Sequence, residues 1–358
     1  MSSPKKISWA VLLIVALIIK IFSFFPAQVE RYYSNGLYPY IATTQRILFG
    51  WIPFSIGDLL YLVVAVYWLR KLFVFIAAHF RKRDFKQFWF VAFKQVIYLA
   101  LIIYISFNLL WGLNYNRLPM ELQMELSLDS YSTGDLKEVL QDLSGKLDVF
   151  DSTARDYRAG LSKKKTLFQI AVETYKSAGQ ELPILRYRFP SVKPSLYSYL
   201  GNYLGFTGYY NPFTGEAQSN TTVPTFVQPF TTCHEIGHQL GYAKENEANF
   251  AGFLSARLSI NPAFKYSVYF DMYSYSIREM FRRDSSTAQQ MFKALRPGIK
   301  DDFVTMKKFY KRYENPLEPI IRELYGNFLK ANQQPSGMKS YNEVVAMLVG
   351  YRKKFGGI

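Results

Sequence analysis

Apolar residues are concentrated in the first third of the chain, where they come in long unbroken runs. Residues 7–25 read ISWAVLLIVALIIKIFSFF, interrupted only by Lys20. At about 1.5 Å per residue a helix of that length crosses a hydrocarbon layer of ~30 Å. Residues 52–69 and 96–113 form two further runs, with Trp51, Trp68 and Trp111 near their ends, where indole rings favour the membrane–water interface. Residues 72–80 are too short to cross alone and either extend the second helix or lie on the surface. The FPAQVERYY that follows the first run lacks the paired small residues of a signal-peptidase site, which predicts an anchor that stays attached.

Beyond about Asn114 the pattern changes. Apolar positions recur every three or four residues in 135–147, 166–178, 267–281 and 317–329, predicting amphipathic helices. The Pro- and Gly-rich stretch 183–224 breaks that spacing, and 185–189 and 216–223 within it predict short strands. The expected architecture is a mainly α membrane protein: an anchor of three transmembrane helices in residues 1–113, then an α+β domain in 114–358 large enough for its own core. No internal repeat or low-complexity tract interrupts it.

Charge orients this arrangement. The net charge is +16, and many cations flank the apolar runs. Lys5 and Lys6 precede the first; Arg70, Lys71, Arg81, Lys82, Arg83, Lys86 and Lys94 separate the second from the third. The loop 26–50 holds only Arg31 and Arg46. Cationic loops stay cytoplasmic, which puts the amino terminus inside and the 114–358 domain outside, in a multi-pass membrane topology. Lysine clusters such as 163–165 then belong to solvated surface, and the bilayer, not nucleic acid, is the expected partner. Lys20 and Asp58 sit at similar depth near the outer ends of their spans, so an intramembrane Lys20–Asp58 pair is expected. The single cysteine, Cys233, excludes an intramolecular disulfide.

The chemistry is carried by His234-Glu235-Ile236-Gly237-His238. On a helix, histidines four apart present both imidazoles on one face, as a tetrahedral zinc ion requires, and the glutamate between them can act on a bound water. The chain has three histidines, and the third, His79, falls across the bilayer from this motif. The third ligand is therefore expected to be a carboxylate. Gly241 can end the motif helix in a left-handed cap, and a second helix can begin near Lys244 and fold back. On it Glu247 shares a face with Phe250, Ala251 and Leu254, which favours Glu247 over Glu245 as the ligand. Cys233 points away from the metal face and reads as a small buried hydrophobe.

Taken with the Glu-Ala-Asn-Phe that begins at Glu247, the motif resembles the gluzincin metallopeptidases. The whole layout also resembles a family of bacterial inner-membrane proteins defined only as a domain of unknown function. The residues carrying that second resemblance are Gly57-Asp58-Leu59-Leu60-Tyr61, Trp111-Gly112-Leu113-Asn114-Tyr115, Asn211-Pro212-Phe213-Thr214-Gly215-Glu216-Ala217 and Pro229-Phe230-Thr231-Thr232. The resemblance implies a zincin-like domain with one Zn2+ held by His234, His238 and Glu247, with Glu235 as general base. It further implies a substrate-aligning edge strand around Gly215, Glu216 and Ala217. Tyr273, Tyr275 and Arg257 follow the site and are the oxyanion-stabilising candidates. The gluzincin aspartate four residues beyond the ligand is absent, the position being Ala251, which leaves Asn246 or Asn249 to orient the ligands. The expected activity is hydrolysis of envelope proteins or peptides; the alternative is an inactive zincin-like scaffold. An intramembrane protease does not fit, because residues 231–249 are too polar to span. Substrate identity and oligomeric state have no signature in the chain.

Overall fold

The computed structural model describes residues 6–80, 85–128 and 130–358. Lys5 and the Arg81, Lys82 and Arg83 cluster lie outside the described residues, as do the side chains of Lys6, His79 and Lys86. The described residues are mostly helical, with one small sheet among them.

The first apolar run forms the helix Lys6–Phe22. The chain then bends by 100° into Pro26–Phe49. Pro26 opens that second arm, where its missing N–H costs nothing, and Val29–Leu37 within it is π-helical. The second run becomes Ile56–Phe80, so residues 72–80 continue it, and the third becomes Phe85–Leu110. Trp9 packs edge-on against Tyr98 at 5.2 Å between ring centres, joining the first and third helices. Among the described residues, Trp89–Leu110 is long and apolar enough to cross a membrane, and the bent pair brings the number to two at most.

The expected Lys20–Asp58 pair does not form. Lys20 is exposed, with its ammonium 4.9 Å above the Phe24 ring. Asp58 is fully buried and accepts hydrogen bonds from the Leu196 N–H at 2.7 Å and from the Tyr209 hydroxyl. A buried carboxylate takes the nearest fixed donors, and these come from the 192–211 segment, which residue depth in the bilayer does not reveal.

All four predicted amphipathic helices are present and longer than their periodic cores: Thr133–Leu161, Lys164–Glu181, Pro262–Arg283 and Glu318–Ala331. Thr133–Leu161 starts at a reciprocal cap, in which the Ser132 hydroxyl accepts from the Asp135 N–H and the Asp135 carboxylate accepts from the Ser132 N–H. Its Leu136, Leu140, Leu143 and Leu147 are fully buried, each contributing about 2 kcal/mol of apolar burial. They meet Pro262–Arg283 and Ser340–Phe355 in the main core.

The sheet has the order β1 (Val192–Pro194), β3 (Glu216–Ser219), β2 (Gly208–Asn211). β1 runs parallel to β3, pairing Val192 with Ala217; β2 runs antiparallel, pairing Gly208 with Ser219. The strand expected at 185–189 is instead a short 3-10 turn at Pro183–Leu185, started by its proline and left through an extended Arg186, with Phe189 at φ +51°. β3 is the central strand and wholly buried. It is therefore no edge on which a substrate could add, because both its hydrogen-bonding sides are taken.

A second, smaller core contains Val29, Tyr33, Tyr38, Trp111 and Tyr115 together with Tyr210 and Ala243. It packs the end of the amino-terminal helices directly against the turn that follows the histidine motif, and the boundary expected at 113/114 runs through it.

Candidate functional site

The motif occupies the helix Gln228–Gln239, buried along its whole length. Its imidazoles lie 4.7 Å apart between ring centres, nearly perpendicular. Gly241 ends the helix with φ +86°, a conformation open to glycine at little cost, and its N–H bonds back to the His238 carbonyl at 3.0 Å. The next helix, Glu245–Ala256, packs closely on the first, and Gly237 lets Ala248 and Ala251 come near.

This return brings Glu245 to the histidines. Its Oε2 is 3.2 Å from His234 Nε2 and 3.7 Å from His238 Nε2. Tyr325 donates to its Oε1 at 2.6 Å, and its own N–H donates to Gln334. Glu247, the expected ligand, lies elsewhere: its carboxylate accepts from the Met120 N–H at 3.3 Å and sits 3.6 Å from the Lys244 ammonium. Helical face could not separate the two because all 12 residues of that helix are buried. Both lie in the first turn, and Glu245, its opening residue, is the one that reaches the imidazoles.

Three observations bear on what the cluster can hold. One donor atom each from His234, Glu235 and His238 lie within 4.8 Å of one another, all buried. His238 Nδ1 faces the Tyr242 carbonyl at 2.8 Å; since a carbonyl only accepts, Nδ1 carries the proton. In the neutral ring Nε2 then presents a lone pair to the carboxylate of Glu245. Two acceptors held that close need a cation between them, either a proton or a metal ion. In the absence of a metal the proton serves. Burial pulls His238 down, but hydrogen bonding and attraction to Glu245 outweigh it and raise it to about 9. Burial alone would raise Glu245; its bonds to His234 and His238 instead hold it far below the usual carboxylate range.

Glu235 differs. Burial pushes it up to about 7, against the pull of the two histidines, and its Oε2 is buried with no hydrogen-bond partner among the described residues. It faces Gly208 of β2, where a side chain would overlap its carboxylate. Beyond lies a cleft of about 780 Å³ lined by Gly208, His234, Glu235, Asn249, Tyr275 and Tyr325, among others. Of the oxyanion candidates Tyr275 lines this cleft. Tyr273 is fully buried among core residues, and Arg257 stacks over Phe253 and Tyr351. Gly215 and Ala217 flank Glu216, which accepts from the N–H groups of Ile56 (3.1 Å) and Gly57 (2.6 Å) and so caps the helix Ile56–Phe80. These three are structural, and the strand at the sheet edge beside Glu235 is β2, half-buried at Gly208 and Tyr209 and buried at Tyr210 and Asn211. Cys233 is buried, its thiol pushed up to about 12 by desolvation.

Sequence reasoning missed the groups outside the motif that hold the end of its helix. Trp111 donates its indole N–H to the His238 carbonyl at 3.0 Å and stands edge-on to the His238 ring at 5.9 Å. Tyr38 and Arg46 donate to the Gln239 carbonyl at 2.8 and 3.2 Å, and Arg117 to that of Gly241 at 3.2 Å. Arg117 is fixed by a buried pair with Glu30 at 2.7 Å. The unpaired carbonyls at a helix C-terminus draw such donors, and cations above all. No spacing rule connects residues this far apart in the chain.

Fold and site together define a mostly helical protein, with at least one helix apolar enough to cross a membrane, built around a buried histidine–glutamate cluster able in principle to hold a metal. The chain belongs to the family of proteins of unknown function designated DUF3810, whose profile matches residues 33–349. Searches of curated proteins and of solved structures give no significant match.

Proposed function

We propose that this chain is a membrane-anchored, zinc-dependent peptidase. One observation carries the reading: Glu245 Oε2 approaches both imidazole Nε2 atoms at 3.2 and 3.7 Å while His238 Nδ1 is committed to the Tyr242 carbonyl. Two imidazoles and one carboxylate, with a fourth position left open, form a catalytic zinc donor set. His234, His238 and Glu245 would hold the ion. Bound there, zinc would supply a Lewis acid that polarises a carbonyl and brings water toward ionisation at neutral pH.

The remaining roles fall to the chain itself. Glu235, raised toward neutrality by burial, is suited to take a proton from water and return it to the leaving amine. The β2 edge can align an extended peptide backbone by strand addition, with Gly208 keeping the approach to Glu235 clear. Tyr275 is the hydroxyl in the cleft wall available to a developing oxyanion. Tyr325 is occupied in orienting Glu245. On this reading the three apolar helices are membrane spans, the cleft is extracytoplasmic, and the substrates are envelope proteins or peptides.

The test is metal analysis and peptide cleavage by the full chain in detergent, wild type beside Glu235→Gln. One equivalent of zinc in both, with cleavage lost in the variant, is the expected result. A wild-type chain that binds zinc without cleaving generic peptides or co-expressed envelope proteins would leave a scaffold; one that binds no metal would end the proposal.

A further inference from the structure

We infer that the mouth of the cleft is seated in the surface of the bilayer, so that a lipid surface covers two exposed apolar helix faces beside the site. On Ser198–Leu204 the exposed residues Tyr199, Leu200 and Tyr203 fall at three- and four-residue spacing on one side. On Glu318–Ala331 Ile320, Leu324 and Phe328 form a second exposed stripe, Leu324 being 61% accessible. Apolar side chains grouped this way on adjoining elements mark an interaction surface, whereas scattered ones do not. The two helices pack on each other, and Asn315, just before the second, donates to the Tyr203 carbonyl at 2.7 Å. Both border the cleft, through Asn202 and Leu204 on one side and Ile321 and Tyr325 on the other.

What identifies the occupant is where these helices are pinned. Phe328 packs edge-on against Phe107, near the end of the membrane-crossing helix Phe85–Leu110, and against Tyr115 just beyond it, each at 6.3 Å between ring centres. The other helix is held at the start of Ile56–Phe80. Asp58 in its first turn accepts from the Leu196 N–H, and the Tyr197 hydroxyl donates to the Asp58 carbonyl at 2.8 Å. Each apolar stripe thus lies beside the end of a long apolar helix, at the level where the cleft-bearing domain begins. An amphipathic face at that level sinks into the boundary between headgroups and acyl chains. If the peptidase reading holds, a substrate backbone reaches Glu235 from the bilayer side, which favours polypeptides anchored in the same membrane.

The test uses neither metal nor cleavage, so it fails or succeeds apart from that reading. Cys233 is buried, so cysteines introduced at exposed positions are labelled selectively. The full chain carrying Leu200→Cys, Leu324→Cys, Ile103→Cys or Val149→Cys is labelled with an NBD fluorophore. It is then reconstituted into phosphatidylethanolamine–phosphatidylglycerol vesicles containing lipid with a nitroxide at acyl carbon 5. Val149 is exposed on Thr133–Leu161, which packs on Pro262–Arg283 and Ser340–Phe355. The expectation is that labels at 200 and 324 lose about half their emission or more, like the one at 103, while the one at 149 is little quenched. Labels at 200 and 324 behaving like 149 while 103 is quenched would overturn the inference. Blue-shifted emission without nitroxide quenching would mean that a protein surface covers the stripe, and would overturn it too. If 103 also escapes quenching, the membrane anchor itself is wrong and the inference falls with it.

Discussion

Replacing Glu245 with glutamine separates the two cations that can sit against this carboxylate. In metal-free protein Glu245 keeps His238 protonated, moving it from 6.5 to about 9. At about 1.4 kcal/mol per pKa unit that displacement corresponds to about 3 kcal/mol of stability, and the depression of Glu245 reports the same interaction. The sign follows from the direction. A histidine raised on folding contributes fully below its unfolded value of about 6.5 and loses that contribution as pH rises through about 9. Chelator-treated Glu245→Gln should therefore melt about 5 °C or more below wild type at pH 6, and much closer to it at pH 9.5. Zinc must displace that proton, so binding to wild type at pH 7.5 should release about one proton, measurable by calorimetry in buffers of different ionisation enthalpy. The variant should lose most zinc affinity in equilibrium dialysis, by more than the 10–100-fold typical of a residue that merely supports a ligand. Glu247→Gln should keep it. Loss of zinc from Glu247→Gln with retention in Glu245→Gln would refute the assignment.

Other consequences are as open to measurement. Glu235 is raised from 4.5 to about 7, so its ionisation costs stability as pH climbs through that interval; chelator-treated Glu235→Gln should melt higher than wild type at pH 8, by the equivalent of up to about 3 kcal/mol, and show no difference near pH 4. Gly208→Ala places a methyl against the Glu235 carboxylate, and should cut peptide cleavage at least about tenfold with zinc content unchanged, since a base displaced by an ångström loses its alignment. Trp111→Phe keeps a ring beside His238 but removes the donor to its carbonyl; a cost of about 1 kcal/mol in melting and a zinc affinity lowered by about tenfold are expected, with an unchanged affinity counting against a positioning role.

Local pattern determined much of this protein. Periodicity located the amphipathic helices because each buries one stripe, and the long apolar runs, which hold no charged residue besides Lys20 and Asp58, located the amino-terminal helices. The motif itself placed His234, Glu235 and His238 together, since a helix fixes residues four apart without help from the rest of the fold. Gly241 forecast the reversal that follows, because glycine adopts a left-handed turn at the least cost. What lay beyond local geometry had to be decided in three dimensions. The choice of Glu245 over Glu247 depends on a helix buried on every side. The structural place of Glu216 and the edge position of β2 depend on strand order. Asp58 abandons Lys20 for donors 138 and 151 residues away, and Trp111, Tyr38, Arg46 and Arg117 reach the end of the motif helix across comparable separations. Sequence states which groups a chain carries and how neighbours face one another; which distant donors satisfy a buried acceptor is settled only when packing brings them within about 3 Å.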